Sequence, residues 1–530
     1  MKLKRLSTKK LLSWLDNNLL TILAGFLLLF IPLYPKKPLF DALPGYNVRI
    51  RLEDVLILLT VIYFAIQVLR KKIKLKQTPL SKPIFIYLII GFLSTLSAIF
   101  ITKTVYPEYL QIAKIYLHWF RRVEYFSLFF IFYFALKRKA QIKKFLLVLG
   151  VAVSAVSIYG FGQKYLYWPA YSTMNREFSK GVPVYLTQHA RVMSTFGGHF
   201  DLAAYLMLTL IPLIIIGLLH KKKLIRRLCL SLAFIEYFLL VLSASRTSWI
   251  AYLVGIIVAF CLLIFKKGKT WVLIRAVSVL AISIFMMIAV GELSERFAHI
   301  FKLEGVRDLI TRPFKANPPS TYLPIDDQLG LVATQTDTPP STTKPGRKPA
   351  DVYDTTLEDL KAGLATGSAE EASAAAAIGT YSEKALKYGL SAGIRLDVLW
   401  PNAIKGFLKN PFLGSGYSTL AKTEVWEFTF AESTDNDYLR LLGETGLLGF
   451  TSYLAVFVIS LLIFWKTFQA TQDPFYYGLF VSAMAITVGL LVNALYIDVF
   501  ESSKVAYTYW SLMGLFLALA AKIKTKKTKS

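Results

Sequence analysis

Twelve runs of about twenty mostly apolar residues divide this chain, and that is the length an α-helix needs to cross the hydrocarbon core of a bilayer. They lie near 17–35, 53–69, 83–101, 115–136, 145–162, 202–219, 224–244, 247–265, 271–291, 446–465, 475–497 and 504–521. Lipid offers no partner to a backbone N–H or C=O, so runs of this kind fold as helices whose hydrogen bonds close within the segment. The expected fold is an all-α polytopic membrane protein with about twelve transmembrane helices. The first run is too long and too poorly flanked for a cleaved signal peptide, because Pro32 and Pro35 end it and no small-residue cleavage site follows.

A formal charge of +28 would by itself suit a nucleic-acid binder. Its placement argues otherwise. The basic residues gather in Lys2–Lys10, Arg70–Lys76, Lys137–Lys144, Lys221–Arg227, Lys266–Lys269 and Lys522–Lys529, each beside an apolar run. The acidic or neutral connections 41–48, 102–111, 163–199, 292–445 and 498–503 alternate with them. This is the positive-inside pattern, with Met1 and the C-terminus in the cytoplasm. It names the lipid bilayer as partner and excludes nucleic acid. Only 18% of residues are charged, against roughly a quarter in a soluble domain. The two cysteines, Cys229 and Cys261, both fall inside apolar runs and imply no disulfide framework.

The chain therefore divides into spans one to nine (1–291), a large extracytoplasmic loop (292–445), and spans ten to twelve with a basic cytoplasmic tail (446–530). The loop holds 16 Lys and Arg against 21 Asp and Glu. Its 310–350 part is rich in Pro and Thr and reads as a flexible linker. Over 381–409 the apolar residues Leu386, Leu390, Ile394, Leu396, Leu399, Ile404 and Phe407–Leu408 recur at helical spacing, which predicts amphipathic helices on or near the membrane. Pro401 is expected to break that run in two.

An ionisable group at the centre of a span costs roughly 2.5–3.5 kcal/mol, so each one demands a reason. Glu236 reads as a protonated or paired carboxyl inside the bundle. Arg121 and Glu124, at the outer end of the fourth span with His118 and Arg122, share a helix face and read as an ion pair. Arg246 lies in Ser243-Ala-Ser-Arg-Thr-Ser248, at the outer turn between spans seven and eight. A guanidinium there either snorkels or clamps an anion, since its planar fork matches phosphate bidentately. Arg395, beside Asp397, and the stretch Ser433–Gly449 close the loop. Asp435, Asn436 and Asp437 there suit helix caps as well as chemistry. His199 and Asp201, in Ser194-Thr-Phe-Gly-Gly-His-Phe-Asp201, form a polar cluster at the start of the sixth span, which a turn and cap explain as readily as a sugar or phosphate site. No His/Cys metal spacing, P-loop, GxGxxG or GxSxG occurs.

These pieces together resemble the O-antigen ligase and polymerase family of bacterial envelope glycan assembly. The likeness is carried by Ser194–Leu206 with Arg191 before it, by the Ser-x-Ser-Arg turn at Ser243–Arg246, and by Arg395, Trp400, Asn410–Gly416, Asp435–Leu439 and Gly443–Gly449 in order. The resemblance implies a glycosyltransferase in the bacterial cytoplasmic membrane, with its active site on the extracytoplasmic face. It implies an undecaprenyl-diphosphate-linked glycan as donor, a lipid or glycan hydroxyl as acceptor, and no metal or cofactor. By motif position Arg246 and Arg395 would hold the diphosphate, with Arg191, His199, Asp201, Asn436, Asp437 and Glu444 around the substrates. Where the family's ligases carry a histidine that activates the acceptor, this chain has Asp435. That departure leaves an O-antigen or exopolysaccharide polymerase open beside a ligase. A polysaccharide or lipid transporter would instead show internal repeats and paired mid-membrane charges, and neither is evident.

Overall fold

The computed structural model describes residues 8–43, 49–174, 178–187, 190–289, 393–422, 424–427 and 433–527. The linker at 310–350 and the stretch 381–392 lie outside them. Twelve long helices follow the apolar runs: α1 Thr8–Leu33, α2 Leu52–Leu69, α3 Ser81–Phe100, α4 Tyr109–Ala135, α5 Ile142–Tyr165, α6 His199–Leu219, α7 Lys223–Leu242, α8 Arg246–Lys267, α9 Lys269–Ala289 and, after the short α10 Trp400–Lys409, α11 Asp437–Ala470, α12 Pro474–Asn493 and α13 Ser503–Lys527. Among the described residues ten helical segments are long and apolar enough to cross a membrane. The two long helices outside that set, α4 and α7, are the ones interrupted by charge, with Arg121, Arg122 and Glu124 in one and Glu236 in the other. The protein is an all-α polytopic membrane protein. Its only sheet among the described residues is a ribbon of β1 (Pro38–Asp41) and β2 (Arg49–Arg51).

The chain forms two compact units, Met1–Ser294 with Leu399–Ser530, and Glu295–Val398. In the first, α12 packs against α8 and α6, α13 against α4, and α6 against α7. Helices α6, α12 and α13 are apolar on every face and mostly buried, so they form the centre. Helices α2 and α9 bury little and present Leu58, Leu59, Leu273 and Ile274 outward. Glu236 is buried between α6 and α7, where the Thr209 hydroxyl donates to it.

The connections that end α1, α7 and α12 meet at one end of this bundle. Lys504 Nζ donates to the carbonyls of Pro32 (3.2 Å) and Thr195 (2.8 Å), and Asn493 Nδ2 to Ser248 Oγ (3.1 Å). At the other end Arg70 pairs with Asp16 (2.9 Å), and Lys266 donates to the Gln469 carbonyl (3.0 Å). Arg70 and Lys266, from two of the basic runs, thus lie opposite the connections that carry Arg246 and Asp435.

Helix α11 breaks at Gly446, whose φ of 64° is left-handed. A Cβ there would stand 2.4 Å from the Phe412 backbone, so only glycine fits. Residues 411–416 satisfy the opened backbone: Leu447 N–H bonds the Pro411 carbonyl (2.8 Å), Ser415 N–H that of Gly443 (2.8 Å), and Gly416 N–H that of Glu444 (2.9 Å). Pro401 does not divide α10. It sits in the first turn, where a missing N–H costs nothing, directly after a π-helical turn over Arg395–Leu399.

Candidate active site

The start of α11 is set by Asn436, whose extended backbone and side chain cap the helix by accepting the Leu439 N–H (3.0 Å). Just before it Asp435 takes a left-handed conformation, φ 50°, which costs an L-residue roughly 1–2 kcal/mol unless its surroundings enforce it. Asp498, in the connection between α12 and α13, enforces it. The Asp498 carboxylate accepts the N–H groups of Thr434 (2.8 Å) and Asn436 (2.8 Å), on either side of Asp435, and Arg440 Nη1 (3.0 Å). The Ser433 hydroxyl donates to Asp435 Oδ1 (2.6 Å). Asp435 is half-buried at the rim of this turn.

Below the turn a buried ionic network ties four parts of the chain together. Arg440 Nε stands 3.3 Å from Glu444 Oε1, and Arg122 Nη2 3.5 Å from Glu444 Oε2. Arg122 also pairs with Glu501 and lies 4.6 Å from the Tyr417 ring centre. Glu444 accepts the Ser418 N–H (2.9 Å), and Asp437 accepts that of Phe500 (3.1 Å). Two guanidiniums face four carboxylates here, so neither has charge to spare for a phosphate. The cavity lined by Arg122, Arg440, Glu444, Asp437 and Glu501 has room for about one water, too little for a sugar. Tyr417, outside the spans, has its phenol pushed well above the usual range by burial.

The sequence pointed to Asn436, Asp437 and Glu444 as substrate contacts. The structure places all three among protein partners: a cap, an acceptor for Phe500, and the middle of the ion network. Arg191 and His199 stand together, Nη1 to Nε2 at 3.0 Å. Asp201, two residues into α6, lies within electrostatic reach of Lys36 and Lys504. Lys36 is itself buried and paired with Glu53 (3.1 Å); burial holds its ammonium below the usual lysine range despite that partner.

Arg246 lies on another connection, between α7 and α8. It is the first residue of the 22-residue helix α8, exposed, after Ala244 in a left-handed turn (φ 52°). The turn is fixed by Ser245 Oγ donating to Ser248 Oγ (3.1 Å), with Ser248 held in turn by Asn493. One short segment, Leu491–Leu495, joins this turn to the start of α11. Beside Asn493, the Ala494 carbonyl accepts the Asp437 N–H (3.0 Å), that of Leu495 accepts Asn436 Nδ2 (3.0 Å), and that of Leu491 accepts the Tyr438 hydroxyl (2.7 Å). The Arg246 turn and the Asp435 turn therefore flank the same end of α12. Arg395 belongs to the other unit, where it opens the π-helical turn with its side chain buried.

Compared with known families, residues 228–454 match the model described as O-antigen ligase. Over this stretch, less than half of the chain, the protein resembles an O-antigen ligase family domain. This domain contains Arg246, Arg395, Asp435, Asn436, Asp437 and Glu444, while Arg191, His199 and Asp201 precede it. No curated protein matches the chain. This match agrees with the resemblance to a family of glycan assembly, and the apolar helices agree with a multi-pass membrane protein. Asp498 and Glu501 lie beyond the matched residues, and the sequence reading passed over them as an acidic connection. The one local signal was the i, i+4 pair of Arg440 and Glu444, which marks a helix face that seeks partners.

Proposed function

We propose that the protein is a membrane glycosyltransferase that moves a glycan from an undecaprenyl-diphosphate carrier to a hydroxyl acceptor, as a ligase does, at the extracytoplasmic end of the bundle. The observation that carries this reading is the exposed guanidinium of Arg246 at the N-terminus of a long helix, joined through the end of α12 to the constrained turn at Asp435. Helix N–H groups and a guanidinium both favour an anion, so charge appearing on a departing diphosphate is stabilised there. The acceptor oxygen attacks the anomeric carbon as the bond to the diphosphate oxygen breaks, and the acceptor's proton passes to the Asp435 carboxylate. The family likeness implies inversion at that carbon and gives Arg395 a diphosphate-binding role by motif position. Arg191, His199 and Asp201, outside the matched domain, are proposed to border the glycan.

The test mixes purified protein with a defined lipid-diphosphate glycan and, in separate arms, a lipid-linked acceptor or a second donor glycan. Transfer to the first marks a ligase; chain extension on the second marks a polymerase. Transfer is expected to persist in EDTA, because cationic side chains supply the charge stabilisation; its loss, restored by a divalent ion, would overturn metal independence. Asp435→Asn, nearly isosteric, is expected to slow transfer about 10²–10⁴-fold, the usual worth of a general base. Near wild-type turnover in that variant would reduce Asp435 to a turn residue.

A further inference from the structure

The geometry points to α10 as an interfacial helix that docks on the bilayer, with its apolar edge among the outer acyl chains and its basic edge at lipid phosphates. Three edges of this ten-residue helix have different characters. Ala403 and Gly406 are buried, and this face packs on α11. Ile404 and Leu408, one turn apart, leave 49% and 65% of their surface uncovered. Lys405 and Lys409, one position further round, are exposed beside them. An apolar stripe bordered by lysines is what a helix lying in the headgroup plane requires.

What covers the apolar stripe is indicated by what continues it. Phe412, four residues past Leu408, is 66% exposed. Its carbonyl accepts the Leu448 N–H (3.2 Å), and that of Pro411 the Leu447 N–H (2.8 Å), so it stands beside the point where α11 resumes after its break. Leu447 and Leu448 are exposed there, and Val458 and Leu462 carry the same exposed stripe down α11, a helix apolar enough to cross the membrane. The uncovered side of α10 is thus the upper end of a surface that meets lipid, and a phospholipid bilayer is the occupant that fits both its apolar residues and its lysines. Seated so, α10 holds the C-terminal end of the large loop at headgroup depth.

Spin labels on single cysteines at Ile404, Lys405, Leu408, Lys409 and Phe412, in a Cys229→Ser, Cys261→Ser background, test this with the full chain in phosphatidylethanolamine–phosphatidylglycerol bilayers. Labels at 404, 408 and 412 should collide several-fold more often with oxygen, which concentrates in lipid, than with a water-soluble nickel chelate. Labels at 405 and 409 should show the reverse. Equal chelate access at all five positions would overturn the assignment. So would protection of 404, 408 and 412 from both reagents, which would mean that protein covers them. Circular dichroism and gel filtration of each labelled protein separate a misfolded variant from either result.

Discussion

Arg246→Ala should lower glycan transfer by about 10²–10³-fold, the loss seen when one preorganised donor to a developing oxyanion is removed. The side chain is exposed and stands at the first position of α8, so its removal should change stability by no more than about 0.5 kcal/mol. A large kinetic effect without a stability effect is what separates an anion clamp from a snorkelling arginine. Arg246→Lys keeps the charge but loses the planar fork, and is expected to recover only part of the rate. The helix N-terminus remains in both variants, so residual transfer should still be inhibited by inorganic pyrophosphate, more weakly in the alanine protein. Wild-type turnover in Arg246→Ala would remove the leaving-group role altogether.

Apolar run length is a local property, and it is why the twelve long helices were legible without any knowledge of contacts. The charged stretches of α4 and α7 were legible too, because their flanking residues are apolar enough to fix the helix around them. Pro401 was placed correctly as a helix boundary but for the wrong reason: the residues before it form a π-helical turn, and the proline opens α10 instead of interrupting a longer helix. Nothing local showed that residues 411–416 would return to bond the backbone broken at Gly446, since that pairing joins segments about thirty residues apart. Arg246 stood out because its serine-rich turn sits between two spans. Asp437 and Glu444 carry the same local signature whether they meet a ligand or a protein group, and the structure gives them the Phe500 N–H and Arg440 as neighbours. Asp498 had no local signature at all. Its partners Thr434, Asn436 and Arg440 lie about sixty residues earlier, and a lone acid between two helices reads as solvated until the fold closes on it.

Asp498→Ala should be among the most damaging single changes in the protein. It leaves two N–H groups of the Asp435 turn without an acceptor and removes one carboxylate from buried Arg440, a combination expected to cost about 3–5 kcal/mol. Asp498→Asn should not rescue it. One carboxylate oxygen accepts Asn436 N–H while the other accepts Thr434 N–H and Arg440, so an amide placed either way turns its NH₂ toward a donor. Loss of transfer should accompany loss of stability in both variants, because the same bonds hold Asp435 in its left-handed conformation. The coupling to Arg440 gives the sharper measurement. Once the carboxylate is gone, Arg440 has lost one of its acidic partners and Glu444 is already shared with Arg122, so the cost of Arg440→Ala should be smaller in the Asp498→Ala background by about 0.5–3 kcal/mol. Additive effects in thermal unfolding would mean that the two side chains act independently. Full activity in Asp498→Asn would mean that the turn keeps its shape without the carboxylate.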